Sequence, residues 1–270
     1  MNSRLLDSIR RGRPIVGVSH VIQDESVTET LRDVDLDFLL IDMQHVAVTI
    51  ETLQRTLVAL QPTELSVLVR PLENDSAMIG QVLDVGADGV ILPMVNTADD
   101  ARRAVAAVRY PPMGIRSWGP RRAARLHGGA EAYARESDDS VVVIIQVETE
   151  EAIRNLDDIL SVPGLSGVMI GPADLAISLG YMHDRTNTQV QEAIDGVLDR
   201  CRERGVPFGF FAGSVEDGVY WMERGGLILT CASDTSFVGR GMAEMSAQIA
   251  AARTSASERP AAGADAPGEV

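Results

Sequence analysis

Short runs of β-branched and apolar residues recur along this chain, separated by stretches whose apolar positions repeat every three to four residues. The runs fall at 14–19, 36–42, 65–70, 88–93, 140–147, 166–171, 206–211 and 226–230. They are nearly continuous in Val, Ile and Leu, as strands covered on both faces are. Between them lie helical patterns at 26–33, 49–60, 76–86, 97–109, 150–160, 187–204, 215–224 and 236–252. Alternation of strand and helix predicts a parallel sheet, and about eight such units predict closure into a (β/α)8 TIM barrel rather than an open sheet. No Gly-x-Gly-x-x-Gly follows the first strand, which weakens a dinucleotide-binding reading.

Three segments fall outside the repeat. A helix at 2–11 precedes the first strand and is expected to cover the barrel floor. The segment 110–139 is too long for a simple connection, and its Tyr110-Pro-Pro-Met-Gly-Ile-Arg-Ser-Trp-Gly-Pro core is expected to be an active-site loop. Residues 253–270, rich in Ala, Pro, Gly and Ser, read as a disordered tail, giving a barrel domain over 1–252 and a tail over 253–270.

In such barrels chemistry gathers at the C-terminal ends of the strands. Strand two ends in Asp42-Met43-Gln44-His45, strand three in Arg70-Pro71, strand five in Gln146-Val147-Glu148 and strand six in Gly171-Pro172-Ala173-Asp174. One rim thereby receives an imidazole, a guanidinium and carboxylates. Each residue also has an ordinary structural explanation. His45 could cap the next helix, Arg70 could join a rim ion pair, and Asp42 could shape a turn. Glu148 and Asp174 could be first-turn helix acids, the latter behind a Pro suited to that turn. Several unrelated coincidences at one end of the barrel explain the pattern less well than one shared site. Two carboxylates at successive strand ends are the hard oxygen ligands that a divalent cation takes.

Composition narrows the chemistry. The chain has no lysine, so Schiff-base catalysis and a lysine-anchored pyridoxal phosphate are both excluded. A net charge of −15 argues against nucleic acid and against an anionic membrane surface as partners. No apolar run approaches membrane-spanning length, and the N-terminus is too polar for a signal peptide. Cys201 and Cys231 lack metal-ligand spacing and imply no disulfide framework, so a reducing, cytoplasmic setting is expected.

Asp-Met-Gln-His at 42–45, Val-Arg-Pro at 69–71, Gln-Val-Glu-Thr at 146–149 and Gly-Pro-Ala-Asp-Leu at 171–175 resemble the HpcH/HpaI family of metal-dependent pyruvate aldolases. Leu83-Asp84-Val85-Gly86-Ala87, Leu92-Pro93-Met94-Val95 and Tyr110-Pro-Pro-Met-Gly-Ile-Arg fit the same pattern, and the similarity runs from about residue 14 to 252. The resemblance implies a barrel of the phosphoenolpyruvate/pyruvate-binding type that holds Mg²⁺, Mn²⁺ or Co²⁺ through Glu148 and Asp174. It implies that Gln146, Gly171 and the backbone around Ala173 hold a 2-oxo acid. His45 is then the acid/base residue, Asp84 raises its basicity, and Arg70 stabilises charge on the enolate oxygen. An aldehyde is the second substrate, and a hexamer exchanging its last helix is the expected assembly.

Two positions depart from the resemblance. Gln44 stands where many relatives carry Glu, and Val46 where they carry a small residue. Both bear on the acceptor substrate more than on the metal. Asp42, Gln44 and His20 are candidates for the surroundings of the site or the acceptor pocket, though a structural role for His20 is an equal alternative. Two other uses of the same enolate stay open, oxaloacetate decarboxylation and a biosynthetic condensation. A non-catalytic barrel that binds metal and 2-oxo acid is the remaining reading; His45 and Arg70 argue against it, because binding alone needs no proton acceptor.

Overall fold

In the computed structural model, which describes residues 4–257, eight parallel strands close on themselves in chain order. They are β1 (Ile15–His20), β2 (Phe38–Asp42), β3 (Ser66–Arg70), β4 (Gly89–Leu92), β5 (Val142–Val147), β6 (Gly167–Ile170), β7 (Phe208–Ala212) and β8 (Ile228–Ser233). The helices before β5 are α1 (Arg4–Arg10), α2 (Glu25–Leu31), α3 (Ile50–Ala59), α4 (Ser76–Asp84), α5 (Ala98–Val108), α6 (Arg121–Leu126) and α7 (Ala130–Ser140). After β5 come α8 (Glu150–Arg154), α9 (Leu156–Leu160), α10 (Pro172–Ser178), α11 (Thr188–Arg204), α12 (Val215–Glu223) and α13 (Asp234–Ser257). All eight expected strands are present, within a few residues of their predicted ends.

Period-two alternation divides each strand between two cores. Phe38, Leu40, Leu68, Ile91, Val142, Ile144 and Met169 fill the barrel, and Leu5, Leu6 and Ile9 of α1 join them from below. The alternate residues, among them Leu39, Ile41, Val67, Val69, Val90 and Val143, pack outward with the helices. Gly17 is on the inward phase of β1 because any Cβ there would meet the Phe38 ring and carbonyl at 2.5 Å. At the lower end, Asp37, Asp88 and Ser166 accept the N–H groups of Val16, Val67 and Val143 at 2.9, 2.8 and 2.9 Å. The residues entering β2, β4 and β6 thus tie down the strand before each of them.

The upper loops end in helix caps that the sequence encodes locally. Asp24, Thr49, Asp75, Thr149 and Ser214 each accept an N–H from the first turn, and Thr97 forms a reciprocal box with Asp100.

Several expectations need correction. The segment 110–139 is a loop over its 110–120 core, but it also contains α6 and α7, whose Ala123, Ala124 and Tyr133 pack with Tyr110 in a small core of their own. Their periodicity rests on Ala and one Tyr rather than on Leu or Ile, so the apolar stripe is faint. The single helix expected over 150–160 is broken at Asn155 (φ −93°, ψ 8°) into α8 and α9. Helix α10 lacked a periodic signature because it is only seven residues long.

The chain divides into two units, Met1–Asp234 and Thr235–Val270. In the second, α13 continues to Ser257, past the expected boundary at 252. Thr254 and Ser255 hydroxyls bond back to the carbonyls of Ala250 and Ala251, one turn earlier, so these polar residues sit in the helix with their hydroxyls satisfied. The rest of the expected tail, 258–270, lies outside the described residues. Phe237, Val238, Met242, Met245 and Ile249 of α13 are exposed. Among the described residues no helix is long and apolar enough to cross a membrane.

Candidate active site

The inward phase that fills the barrel with Leu, Ile and Val turns polar at the top. Counting in twos from Phe38 and Leu40 gives Asp42; from Ser66 and Leu68, Arg70; from Val142 and Ile144, Gln146 and Glu148. Asp42, Arg70, Gln146 and Glu148 are all buried, the last at 2 % exposure.

Asp42 and Arg70 are paired side by side across β2 and β3. Arg70 Nε donates to Asp42 Oδ1 at 2.9 Å and Nη2 to Oδ2 at 2.6 Å, a two-point pair. Burial acts to raise the Asp42 pKa, but the Arg70 bonds and charge outweigh it, with help from the N–H groups of Gln44 and His45. The carboxyl is held below its ordinary range and stays ionised. Those two N–H groups bond Oδ1 at 2.9 and 3.3 Å, so Asp42 also shapes the loop that carries His45. His45 is exposed, whereas Gln44 Oε1 is buried and has no hydrogen-bond partner among the described residues.

Gln146 joins this pair to the second carboxylate. Its Oε1 lies 3.5 Å from Arg70 Nη1, and its Nε2 donates to Glu148 Oε2 at 2.6 Å. Glu148 Oε1 accepts the Met94 N–H at 2.8 Å. Burial, and after it the nearby Asp174 charge, push the Glu148 carboxyl up to about 7. Gly171, at the end of β6, lies against the same group: a Cβ there would sit 2.4 Å from Glu148 Oε2 and 2.8 Å from Gln146 Nε2. Pro172 opens α10, whose first backbone bond runs from Leu175 N to Gly171 O, leaving the N–H groups of Ala173 and Asp174 ahead of the ladder.

Two neighbouring hard carboxylates, one with its pKa raised by burial and by the charge of the other, form a donor set suited to a divalent cation, and Arg70 is turned toward Asp42. Among the described residues no three His, Cys, Asp or Glu side chains gather at metal-binding distance. The candidate centre therefore offers two carboxylates and open positions for water and substrate oxygens, as Mg²⁺ sites commonly do.

Two expected residues stand elsewhere. His20 follows Val16 and Val18 on the outward phase of β1, where its ring nitrogens meet Asp234 Oδ2 at 2.7 Å and Thr28 Oγ1 at 2.9 Å. Both nitrogens are engaged behind the barrel wall, so His20 does not line the acceptor side. Asp84 ends α4, which descends from the β3 rim for nine residues, about 13 Å. It therefore lies near the start of β4, at the opposite end from His45, and binds Arg116 Nη2 at 2.7 Å.

The sequence pattern of the HpcH/HpaI aldolase/citrate lyase family matches residues 21–239. The chain belongs to that family. It is 36 % identical over 253 residues to a 4-hydroxy-2-oxo-heptane-1,7-dioate aldolase of Salmonella paratyphi B, covering 93 % of this chain and 96 % of the relative. An HpcH/HpaI family protein of Burkholderia cenocepacia superposes with a TM-score of 0.87 at 28 % identity, covering 92 % of this chain and 99 % of the other. The citrate synthase SbnG superposes at 0.81 with 27 % identity, covering 94 % and 99 %.

Two contributors to this HpcH/HpaI site were missed in the sequence. Met94 acts through its backbone N–H, and its φ of 54° is unusual for a residue with a side chain. Nothing in the residue type signals either fact. Phe211, on the inward phase of β7, lies under Arg70 with its ring centroid 5.0 Å from Cζ. Its place at a strand end was the available signal, hidden because an apolar residue there reads as core.

Proposed function

We propose that this protein is a divalent-metal-dependent aldolase that forms the enolate of pyruvate, or of a related 2-oxo acid, and adds it reversibly to an aldehyde. In reverse it cleaves 4-hydroxy-2-oxo acids. One observation carries the reading: Glu148, buried beside Asp174, is joined through Gln146 to a fixed Arg70 at one rim of a barrel that contains no lysine. Likeness to a 4-hydroxy-2-oxo-heptane-1,7-dioate aldolase supports the substrate class.

Glu148 and Asp174 would hold Mg²⁺, Mn²⁺ or Co²⁺, which when bound supplies the electron withdrawal that an iminium supplies in lysine aldolases. The Met94 N–H and the Gln146 amide fix the Glu148 carboxylate. Gln146 and the open N–H groups at Ala173 and Asp174 orient the 2-oxo acid, and the bare Gly171 leaves it room. Arg70, immobilised by Asp42, presents its remaining N–H groups to the oxygen on which negative charge develops. His45, exposed at the same rim, removes and returns the proton. Asp84 can serve His45 only from a neighbouring copy of the chain, which makes the site a property of the expected hexamer. Two free, buried cysteines support a reducing cytoplasmic location.

The same enolate could be consumed by another carbonyl acceptor or produced by decarboxylation of oxaloacetate; likeness to citrate synthase SbnG favours keeping the condensation reading. Loss of the pyruvate methyl proton signal in D₂O tests the shared step without an acceptor. Wash-in of deuterium with Mg²⁺ or Mn²⁺, abolished by chelator and restored by metal, is expected. Full exchange in excess chelator, or none with any of the three metals, refutes the proposal.

A further inference from the structure

The Arg70 guanidinium is constrained on two sides by groups that remove different freedoms. Asp42 accepts from Nε and Nη2 at 2.9 and 2.6 Å, which fixes where the fork points within its own plane. A two-point pair of this kind still allows the plane to hinge about the line joining the two groups. Phe211 opposes that hinge: its ring centroid is 5.0 Å from Arg70 Cζ, within the range in which an aromatic face attracts a guanidinium.

The ring rests on a rigid base. Phe211 sits within β7, paired with Thr230 of β8, and packs against the apolar core inside the barrel. Beyond Asp42 and the 3.5 Å approach to Gln146 Oε1, one hydrogen on Nη1 and one on Nη2 have no acceptor among the described residues. Their direction is set by the tilt of the plane, which is the coordinate the ring controls. An aliphatic side chain of similar reach would fill the space without supplying a face.

We infer that Phe211 is a positioning residue whose ring sets the plane of the Arg70 guanidinium, aiming its two unpaired N–H groups at the reacting oxygen. The inference rests on the proposed role of Arg70 for its kinetic consequence, but not for its structural one.

The test compares Phe211→Leu with Phe211→Tyr in the full-length, metal-loaded protein. Phe211→Leu is expected to lower kcat for pyruvate methyl exchange about tenfold, or ~1.4 kcal/mol. KM should stay within about threefold and the melting temperature within about 3 °C, while Phe211→Tyr keeps at least half the wild-type kcat. In an Arg70→Lys background the Leu substitution should change kcat by less than about twofold, since an ammonium has no plane to set. The ¹⁵N signals of the Arg70 Nη atoms, recorded without substrate, should be separate in the wild type and merged in Phe211→Leu. Unchanged kcat and unchanged Arg70 signals in Phe211→Leu would overturn the inference, as would equal losses in the Leu and Tyr variants. If the wild type exchanges no pyruvate proton, the proposed reaction fails on its own. The Arg70 signals then still decide: merging in the Leu variant supports the positioning role, and identical signals remove it.

Discussion

Adding one methyl group at Gly171 should disable the candidate metal centre while leaving the barrel folded. Its φ of −95° is open to any residue, so Gly171→Ala carries no backbone strain. The conflict is with the site: the new Cβ would stand 2.4 Å from Glu148 Oε2 and 2.8 Å from Gln146 Nε2. An ordinary carbon–oxygen contact is about 3.3–3.6 Å, so the carboxylate must retreat by roughly 1 Å. A metal ligand tolerates about 0.2 Å, and the retreat also breaks the 2.6 Å bond from Gln146. Disturbing a group that orients a ligand typically weakens metal binding about 10–100-fold. Strain in the surrounding packing should cost about 1–3 kcal/mol, which a barrel of this size survives. Titration calorimetry with Mn²⁺ and a thermal melt separate the two effects. Wild-type Mn²⁺ affinity together with wild-type deuterium wash-in would show that Gly171 does not bound the metal centre, and the assignment of Glu148 as a ligand would fall with it.

Two further outcomes follow from the geometry. Burial raises the Asp88 carboxyl from 3.8 to about 6 even though it accepts the Val67 N–H, so the folded state binds this proton more tightly than the unfolded chain. Stability from this group is fully present below about pH 4, falls as pH rises to about 6, and is flat above. At about 1.4 kcal/mol per pH unit the loss approaches 3 kcal/mol. Denaturant unfolding of Asp88→Asn should lack that slope relative to the wild type, and an unchanged pH profile would contradict it. Separately, Asp84→Asn and His45→Ala should each be nearly inactive, yet an equal mixture, co-assembled, should recover about one quarter of wild-type exchange if each site draws on two copies at random. No recovery from well-assembled mixtures, or full activity of Asp84→Asn alone, would remove Asp84 from the chemistry.

The barrel was legible because strands buried on both faces leave unbroken apolar runs, and because eight of them fit only a few architectures. The rim was legible for a related reason. Once the inward phase is known, a polar residue at its upper end has no role in the core, which singles out Asp42, Arg70, Gln146 and Glu148. The expectation that His20 lines the acceptor pocket left the phase of β1 uncounted; in the structure Ile15, Gly17 and Ser19 take the inward positions and His20 faces outward. What escaped was information not written in side chains or in strong periodicity. Met94 contributes a backbone N–H, Asp84 is separated from His45 by the full length of a helix, and α6 and α7 rely on alanines for their buried faces. Phe211 was hidden by its own apolar character.

The tie between His20 and Asp234 has a bearing on how the polypeptide becomes a barrel. It spans 214 residues and joins the end of the first strand to the residue just after the last. Thr28, on the other side of the same ring, is only eight residues away and available almost at once. During synthesis the first strand must therefore wait, half satisfied, until nearly the whole message has been read, since no earlier strand can substitute for β8. A ribosome that stalls, or a chain cut short before Asp234, leaves an open sheet with two sticky margins. The cell's folding machinery would meet that species, rather than a smaller stable barrel.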